Sequence, residues 1–261
     1  MKVLLIQNMP GLDKTNNLNQ ILDLIPNQPF DLLVLPESFS SPYGIKYFKE
    51  YSESIKDGGE TLKFLENLSN KYPNAYIVGG SIPERNNDKY YNTCTVWNSG
   101  NIVAIYRKIH LFDVNFKETD FSFQESSVLS PGNNPITFIT PWGKIGLGIC
   151  FDLRFNKLSN YYKENDCNFI IYPGNFTEFS GNLHWELLLR SRAVDNQCYV
   201  IGCSSALNNK VEYKSYGNSL ISDPWGKILL KFDNKINVSV IDVNLEEIKN
   251  MRNSIPLNNI L

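Results

Sequence analysis

The 261-residue chain reads as an α/β protein, and three features of the sequence carry that reading. Short β-rich runs recur along it, helical periodicity fills several of the gaps, and turn sequences join some runs directly into hairpins. The runs fall at residues 3 to 7, 31 to 36, 75 to 82, 91 to 97, 102 to 107, 136 to 140, 145 to 149, 168 to 172, 198 to 204, 217 to 222, 227 to 232 and 237 to 243. Between the first two, residues 15 to 25 set Leu18, Ile21, Leu22 and Ile25 on one helical face, and residues 60 to 71 repeat the pattern with Leu62, Leu65 and Leu68. A third helix is expected directly after Cys150, and a fourth from about His184 to Asn196, with Trp185, Leu188, Leu189 and Arg192 at helical spacing. Asn98-Ser-Gly-Asn101 reads as a hairpin turn. Pro-Trp-Gly-Lys-Ile occurs at 141 to 145 and again at 224 to 228, each time between β runs, and two hairpins with shared turn chemistry explain this more simply than an internal two-fold. A mixed sheet system flanked by helices follows. No linker divides the chain, so one domain over residues 1–261 is expected.

Composition narrows the function. Charged residues make up 20% of the chain, hydrophobic residues 42%, and the formal net charge is −2, so neither nucleic acid nor an anionic membrane surface is an expected partner. Met1-Lys-Val-Leu-Leu-Ile6 reads as a first strand cut short by polar Gln7 and Asn8, so neither a signal peptide nor a spanning helix is expected there. The cytoplasm is the expected location. Cys94, Cys150, Cys167, Cys198 and Cys203 form no CxxC pair and are odd in number, which argues against a disulfide framework or structural zinc. With His110 and His184 the only histidines, no metal centre is expected, and a Cys-His dyad has two candidates.

Three chemically capable residues stand at the ends of apolar runs. Phe30-Asp-Leu-Leu-Val-Leu-Pro-Glu37 ends on a carboxylate, Asn101-Ile-Val-Ala-Ile-Tyr-Arg-Lys108 on an ammonium, and Lys144-Ile-Gly-Leu-Gly-Ile149 gives way to Cys150. Strand ends are where α/β active sites collect. If a helix starts at Cys150, its N-terminal dipole favours a thiolate. Each residue also has a plainer role, as a solvated charge or a packing thiol; the coincidence of three is what points to a site.

Leu35-Pro-Glu37, Tyr106-Arg-Lys-Ile-His110 and Gly148-Ile-Cys-Phe-Asp-Leu-Arg154 together resemble the Glu-Lys-Cys signature of the nitrilase superfamily of carbon–nitrogen hydrolases. The likeness runs on through Gly79-Gly-Ser-Ile-Pro-Glu84, Tyr91-Asn-Thr-Cys94, Ser130-Pro-Gly132 and Arg190-Ser-Arg-Ala-Val-Asp-Asn-Gln197. Ser41-Pro-Tyr-Gly44, Lys108-Ile-His-Leu-Phe-Asp113 and Phe123-Gln-Glu-Ser126 look most like the omega-amidase branch, whose substrates are short dicarboxylic monoamides such as 2-oxoglutaramate and 2-oxosuccinamate. The resemblance implies a four-layer αββα sandwich, a homodimer, a small-molecule amide substrate and no cofactor.

It also implies roles. A neutral thiol with a pKa of about 8.5 is a poor nucleophile at neutral pH, and Glu37 is the base that the motif supplies for Cys150. Lys108 and the backbone N–H of Phe151 are suited to the oxyanion formed on attack. Glu125 matches a second carboxylate that the family places beside the lysine. Arg154, four residues beyond the thiol, has the reach for a distal substrate carboxylate, with Tyr43 as a further contact; the plainer role for Arg154 is an ion pair with Asp152 or Asp195. After Pro173-Gly174 the chain departs from the branch: Asn175-Phe-Thr-Glu-Phe-Ser-Gly181 stands where omega-amidases usually carry Ala-Phe-Asn and a pair of threonines. His184 resembles a residue of a segment opening a structural helix, and His110 is expected to order its loop. The rival readings are an amidase for another short amide, such as deaminated glutathione or an N-carbamoyl compound, a catalytically silent interaction module, and a thiol redox sensor.

Overall fold

The computed structural model describes residues 1–257. Strand β1 (Lys2–Gln7) carries the apolar run Val3 to Ile6, buried on both faces, so alternate side chains feed two different layers. Helix α1 (Lys14–Leu24) starts where the Asp13 carboxylate accepts the Asn16 N–H at 3.0 Å, and it buries Leu18 and Ile21. Strand β2 (Leu32–Val34), the single-turn helix α2 (Ile45–Phe48) and helix α3 (Glu60–Lys71) follow, α3 burying Leu62, Leu65 and Leu68. Then come β3 (Tyr76–Val78), β4 (Ile82–Asn86), β5 (Lys89–Asn98) and β6 (Asn101–Arg107); the β5–β6 turn uses positive φ at Ser99 and Gly100. A separate hairpin of β7 (Asp113–Phe116) and β8 (Phe121–Gln124) precedes β9 (Thr137–Thr140) and β10 (Gly143–Leu147). The rest runs α4 (Asn156–Glu164), β11 (Cys167–Gly174), α5 (Glu178–Asn196), β12 (Tyr199–Ser204), β13 (Leu220–Ser222), β14 (Ile228–Lys231), β15 (Asn237–Asp242) and α6 (Glu246–Ser254).

Two large sheets result. The seven-stranded one runs β15-β1-β2-β3-β5-β4 with β6 also on β5, and the six-stranded one runs β14-β13-β12-β11-β10-β9. Within each, three strands are parallel and joined through helices: β1, β2 and β3 in the first, β10, β11 and β12 in the second. Register then sorts side chains by layer. Val3, Leu5, Leu32 and Val34 share a core with Ile145, Leu147, Phe169 and Ile171 of the other sheet, whereas Leu4, Ile6, Leu33 and Leu35 pack with the buried leucines of α1 and α3. On the second sheet Gly146 faces the Tyr162 ring of α4, and Gly202 faces Trp185 and Leu189 of α5. The order is helices, sheet, sheet, helices: a four-layer αββα sandwich. At the seam, the Cys203 thiol donates toward Ile6 O at 3.3 Å and Val34 O at 3.5 Å. Among the described residues no helix is long and apolar enough to cross a membrane.

Three local expectations need correction, and one hairpin lies beyond them. The run 75 to 82 is not one strand, because β3 stops at Val78 and Gly80 turns the chain at φ 54°. No α-helix starts at Cys150: residues Cys150–Arg154 form a 3-10 turn, and α4 begins at Asn156. Helix α5 starts at Glu178, earlier than expected, because Thr177 caps it by accepting the Ser180 N–H at 3.2 Å; His184 lies inside it. The β7–β8 hairpin was not anticipated, although Val114, Phe116, Phe121 and Phe123 alternate with exposed polar residues. The repeated Pro-Trp-Gly turns close β9–β10 and β13–β14, at opposite edges of one sheet.

Candidate active site

Four strand ends converge. Glu37 lies three residues past β2, Lys108 directly after β6, Cys150 three residues past β10 and Asn175 directly after β11. Ser38 and Cys150 both hold left-handed backbone, φ 52° and 49°, which costs a non-glycine residue on the order of 1–3 kcal/mol. Fully buried Asp152 fixes the Cys150 turn. Its carboxylate accepts from Tyr106 Oη at 2.6 Å, from His110 N–H at 2.9 Å and from Ile149 N–H at 2.9 Å, with His110 Nδ1 2.7 Å away. That ties the thiol's turn to the segment carrying Lys108. The His110 ring stacks on Phe155 at 3.5 Å between centroids.

Lys108 Nζ is 2.8 Å from Glu125 Oε2 and 3.3 Å from Glu37 Oε1. Asn92 Nδ2 donates to the same two carboxylates, at 2.8 Å to Glu37 Oε1 and 3.3 Å to Glu125 Oε1. The Asn175 N–H donates to Glu37 Oε2 at 2.8 Å, and the Phe112 N–H to Glu125 Oε2 at 2.6 Å. The Cys150 thiol faces the Glu37 carboxylate, and all four ionisable groups are buried. One ammonium between two carboxylates leaves one negative charge in excess when both are ionised.

This environment moves the protons of Glu37, Cys150 and Lys108. Burial pushes the Glu37 pKa above the usual carboxylate value; Lys108 opposes the shift and Glu125 adds to it. Burial, then Glu37, pushes the Cys150 thiol well above its ordinary value against the pull of Lys108. The thiolate expected from a helix N-terminus loses its support: no α-helix starts at Cys150, and burial and Glu37 favour the thiol. Burial alone would lower the Lys108 pKa, but Glu125 and Glu37 more than offset it and hold the ammonium charged. The cluster can thus take a proton from sulfur at Glu37 and present a fixed cation to a developing oxyanion.

The remaining sequence candidates border this cluster. Tyr43 is buried with its hydroxyl unpartnered, 4.7 Å from Tyr213 and 5.4 Å from Phe123 between ring centroids, and Lys108 Nζ is 5.9 Å from its own centroid. Phe151 follows the thiol in its turn, with its ring 5.4 Å from Phe112. Arg154 pairs with neither aspartate: Asp152 is occupied as described, and Asp195 is 3.5 Å from Arg192. Sequence reasoning passed over Asn92, Asn175 and Tyr213. The Asn175 amide donates to Glu37 O at 2.7 Å and accepts from Ser205 N–H at 3.1 Å, while Tyr213 Oη donates to Asn175 O at 2.6 Å. Asn92 lies in the Tyr91-Asn-Thr-Cys94 motif, and Asn175 both closes an apolar run, like Glu37, and opens the divergent segment.

A cavity of about 480 Å³ adjoins the cluster, lined by Tyr43, Tyr213 and Phe123 with Phe121 of the β7–β8 hairpin. A larger groove of about 680 Å³, lined by residues 25–30 and 71–75, lies ahead of β2 and β3. That is the opposite end of the strands from Glu37, and no reactive group meets there.

The carbon-nitrogen hydrolase family model matches residues 2–253. The omega-amidase NIT2 of Homo sapiens is 42% identical over 260 residues, covering 98% of this chain and 93% of that protein. The omega-amidase NIT2 of Mus musculus is 41% identical over 260 residues with the same coverage. Among solved structures, Saccharomyces cerevisiae Nit3, a member of branch 10 of the nitrilase superfamily, superposes with a TM-score of 0.90 at 38% identity, over 100% of this chain and 96% of that one.

Proposed function

The chain belongs to the carbon–nitrogen hydrolase family, and we propose that it releases ammonia from the terminal amide of short dicarboxylic monoamides of the 2-oxoglutaramate and 2-oxosuccinamate type. It is an enzyme acting on amides. In the proposed reaction Glu37 takes the Cys150 proton as sulfur adds to the amide carbon, and Lys108 with the Phe151 N–H holds the oxyanion. Glu37 returns that proton to the departing nitrogen, the C–N bond breaks, and ammonia leaves a thioester. Water, deprotonated by Glu37, then cleaves the thioester to the acid and restores the thiol. Glu125 keeps Lys108 charged and in place.

Arg154 carries the substrate reading. It is a half-buried guanidinium on the thiol's own turn that makes no ion pair among the described residues, so a substrate carboxylate would be its counter-ion. Tyr43 offers a buried, unpartnered hydroxyl as a second contact. Within the divergent segment the Asn175 side chain turns to Glu37 O and Ser205 N–H, and the Phe176 ring lies 4.9 Å from the Arg154 guanidinium carbon. Ammonia release across a panel of monoamides tests the reading: charged amides should be turned over far better than uncharged ones of equal length, and equal turnover would overturn it.

We propose further that the protein works in the cytoplasm as a homodimer. Exposed Leu183, Leu187 and Val194 lie along one side of α5, and Arg190 Nε donates to Gly226 O at 2.7 Å, joining that side to the turn bearing exposed Trp225. Such an exposed apolar stripe, interrupted by Arg190, suits a second copy.

A further inference from the structure

Arg154 offers five N–H donors, no acceptor and a permanent charge. Its guanidinium carbon lies 4.9 Å from the Phe176 ring centroid and 5.7 Å from that of Phe151, so two aromatic faces support the group. Its side-chain hydrogen bond runs from Nη1 to Nδ1 of His184 on α5, at 3.2 Å. Because a guanidinium only donates, Nδ1 must be the accepting nitrogen, which places the ring proton on Nε2 and leaves the imidazole uncharged. Burial and the adjacent Arg154 charge push the His184 pKa below its ordinary value, in keeping with that form.

The identity of this acceptor has a consequence. A carboxylate in the same place would orient the guanidinium but also cancel its charge, leaving little attraction for an anionic substrate. A neutral imidazole orients it and leaves the charge uncompensated. We propose that His184 is a positioning residue for substrate selection, aiming the Arg154 guanidinium at the substrate's far carboxylate without neutralising it. The inference rests on the carboxylate-binding role proposed above for Arg154. His184 would touch neither the amide nor the thiol, so its effect belongs in KM for anionic amides and not in kcat.

The test compares a short dicarboxylic monoamide with an uncharged amide of equal length, using the full chain and variants whose melting transitions match the wild type. His184→Glu should raise KM for the charged amide by roughly tenfold or more, the scale of one charge-assisted hydrogen bond, and leave kcat unchanged. The uncharged amide should shift by less than about twofold. His184→Asn, whose amide oxygen can accept in place of Nδ1, should keep near-wild-type values, whereas His184→Leu should lose part of the preference. A Glu variant that keeps the full preference for the charged amide would overturn the inference, as would equal losses in kcat for both substrates. Arg154→Met separates the two levels. If it too keeps the preference, the carboxylate subsite itself is wrong; if it loses the preference while the Glu and Leu variants of His184 keep it, only the role of His184 fails.

Discussion

At Cys150, burial and a neighbouring carboxylate favour the proton on sulfur, so in the proposed reaction the nucleophile is made only as Glu37 takes that proton. Cys150→Ala or Ser should therefore abolish turnover with the fold intact, and mass spectrometry of the wild type with substrate should find the acyl adduct on Cys150 and on no other cysteine. Glu37→Gln and Lys108→Ala should each lower the rate by ~10²- to 10⁴-fold. Near-normal activity in either variant would remove that residue from the mechanism. The pH profile follows from the same shifts. Glu37 must be ionised to accept a proton, and its pKa is raised, so as pH falls kcat/KM should begin to drop at a higher pH than an ordinary carboxylate of about 4.3 would give. Lys108 must stay protonated, and its raised pKa keeps it out of the alkaline limb near neutrality. An acid limb at or below the ordinary carboxylate value would contradict this account. Glu37, Lys108 and Cys150 were legible in the sequence because each ends an apolar run. Asn92, Asn175 and Asp152 were not, because their roles exist only across long separations: Asn175 meets Glu37 over 138 positions.

The elements that carry these residues depend on unusual backbone. Gly80, at φ 54°, passes so close to the Pro36 carbonyl that a Cβ there would overlap it, and Pro36 immediately precedes Glu37. Gly80→Ala should destabilise the fold by roughly 1–3 kcal/mol through its left-handed backbone. It should also lower kcat/KM by more than the unfolded fraction explains, because relieving the overlap moves Glu37. Denaturant midpoints measured beside kinetics check this, and an active, merely less stable variant would show that the Pro36 peptide can yield without disturbing the base. Strands buried on both faces, such as β1 and β11, were legible as continuous apolar runs. The β7–β8 hairpin was not, since four-residue alternations are too short to stand out. The break at Gly80 was hidden because Ile77-Val-Gly-Gly-Ser-Ile82 keeps its apolar residues while the chain turns. The helix expected at Cys150 failed for another reason: the Asp152 carboxylate, bonded to Tyr106, His110 and Ile149, imposes a 3-10 turn over a local helical pattern.

For the whole molecule, sedimentation at micromolar concentration should give a dimer, and Leu187→Glu on the exposed side of α5 should shift it toward monomer while leaving the fold unchanged. A monomeric wild type would overturn the proposed assembly without touching the fold. The sandwich also settles when the chain becomes reactive. Glu37, Lys108 and Asn92 belong to the first sheet and its strand ends, Cys150 and Asn175 to the second. During synthesis the first half emerges with Glu37 and Lys108 but without Cys150, and the second brings that thiol with only Asp152 and Arg154 of its own turn for charge. If the proposed mechanism holds, competence requires the two halves to dock, so recovery of activity in refolding should lag recovery of secondary structure.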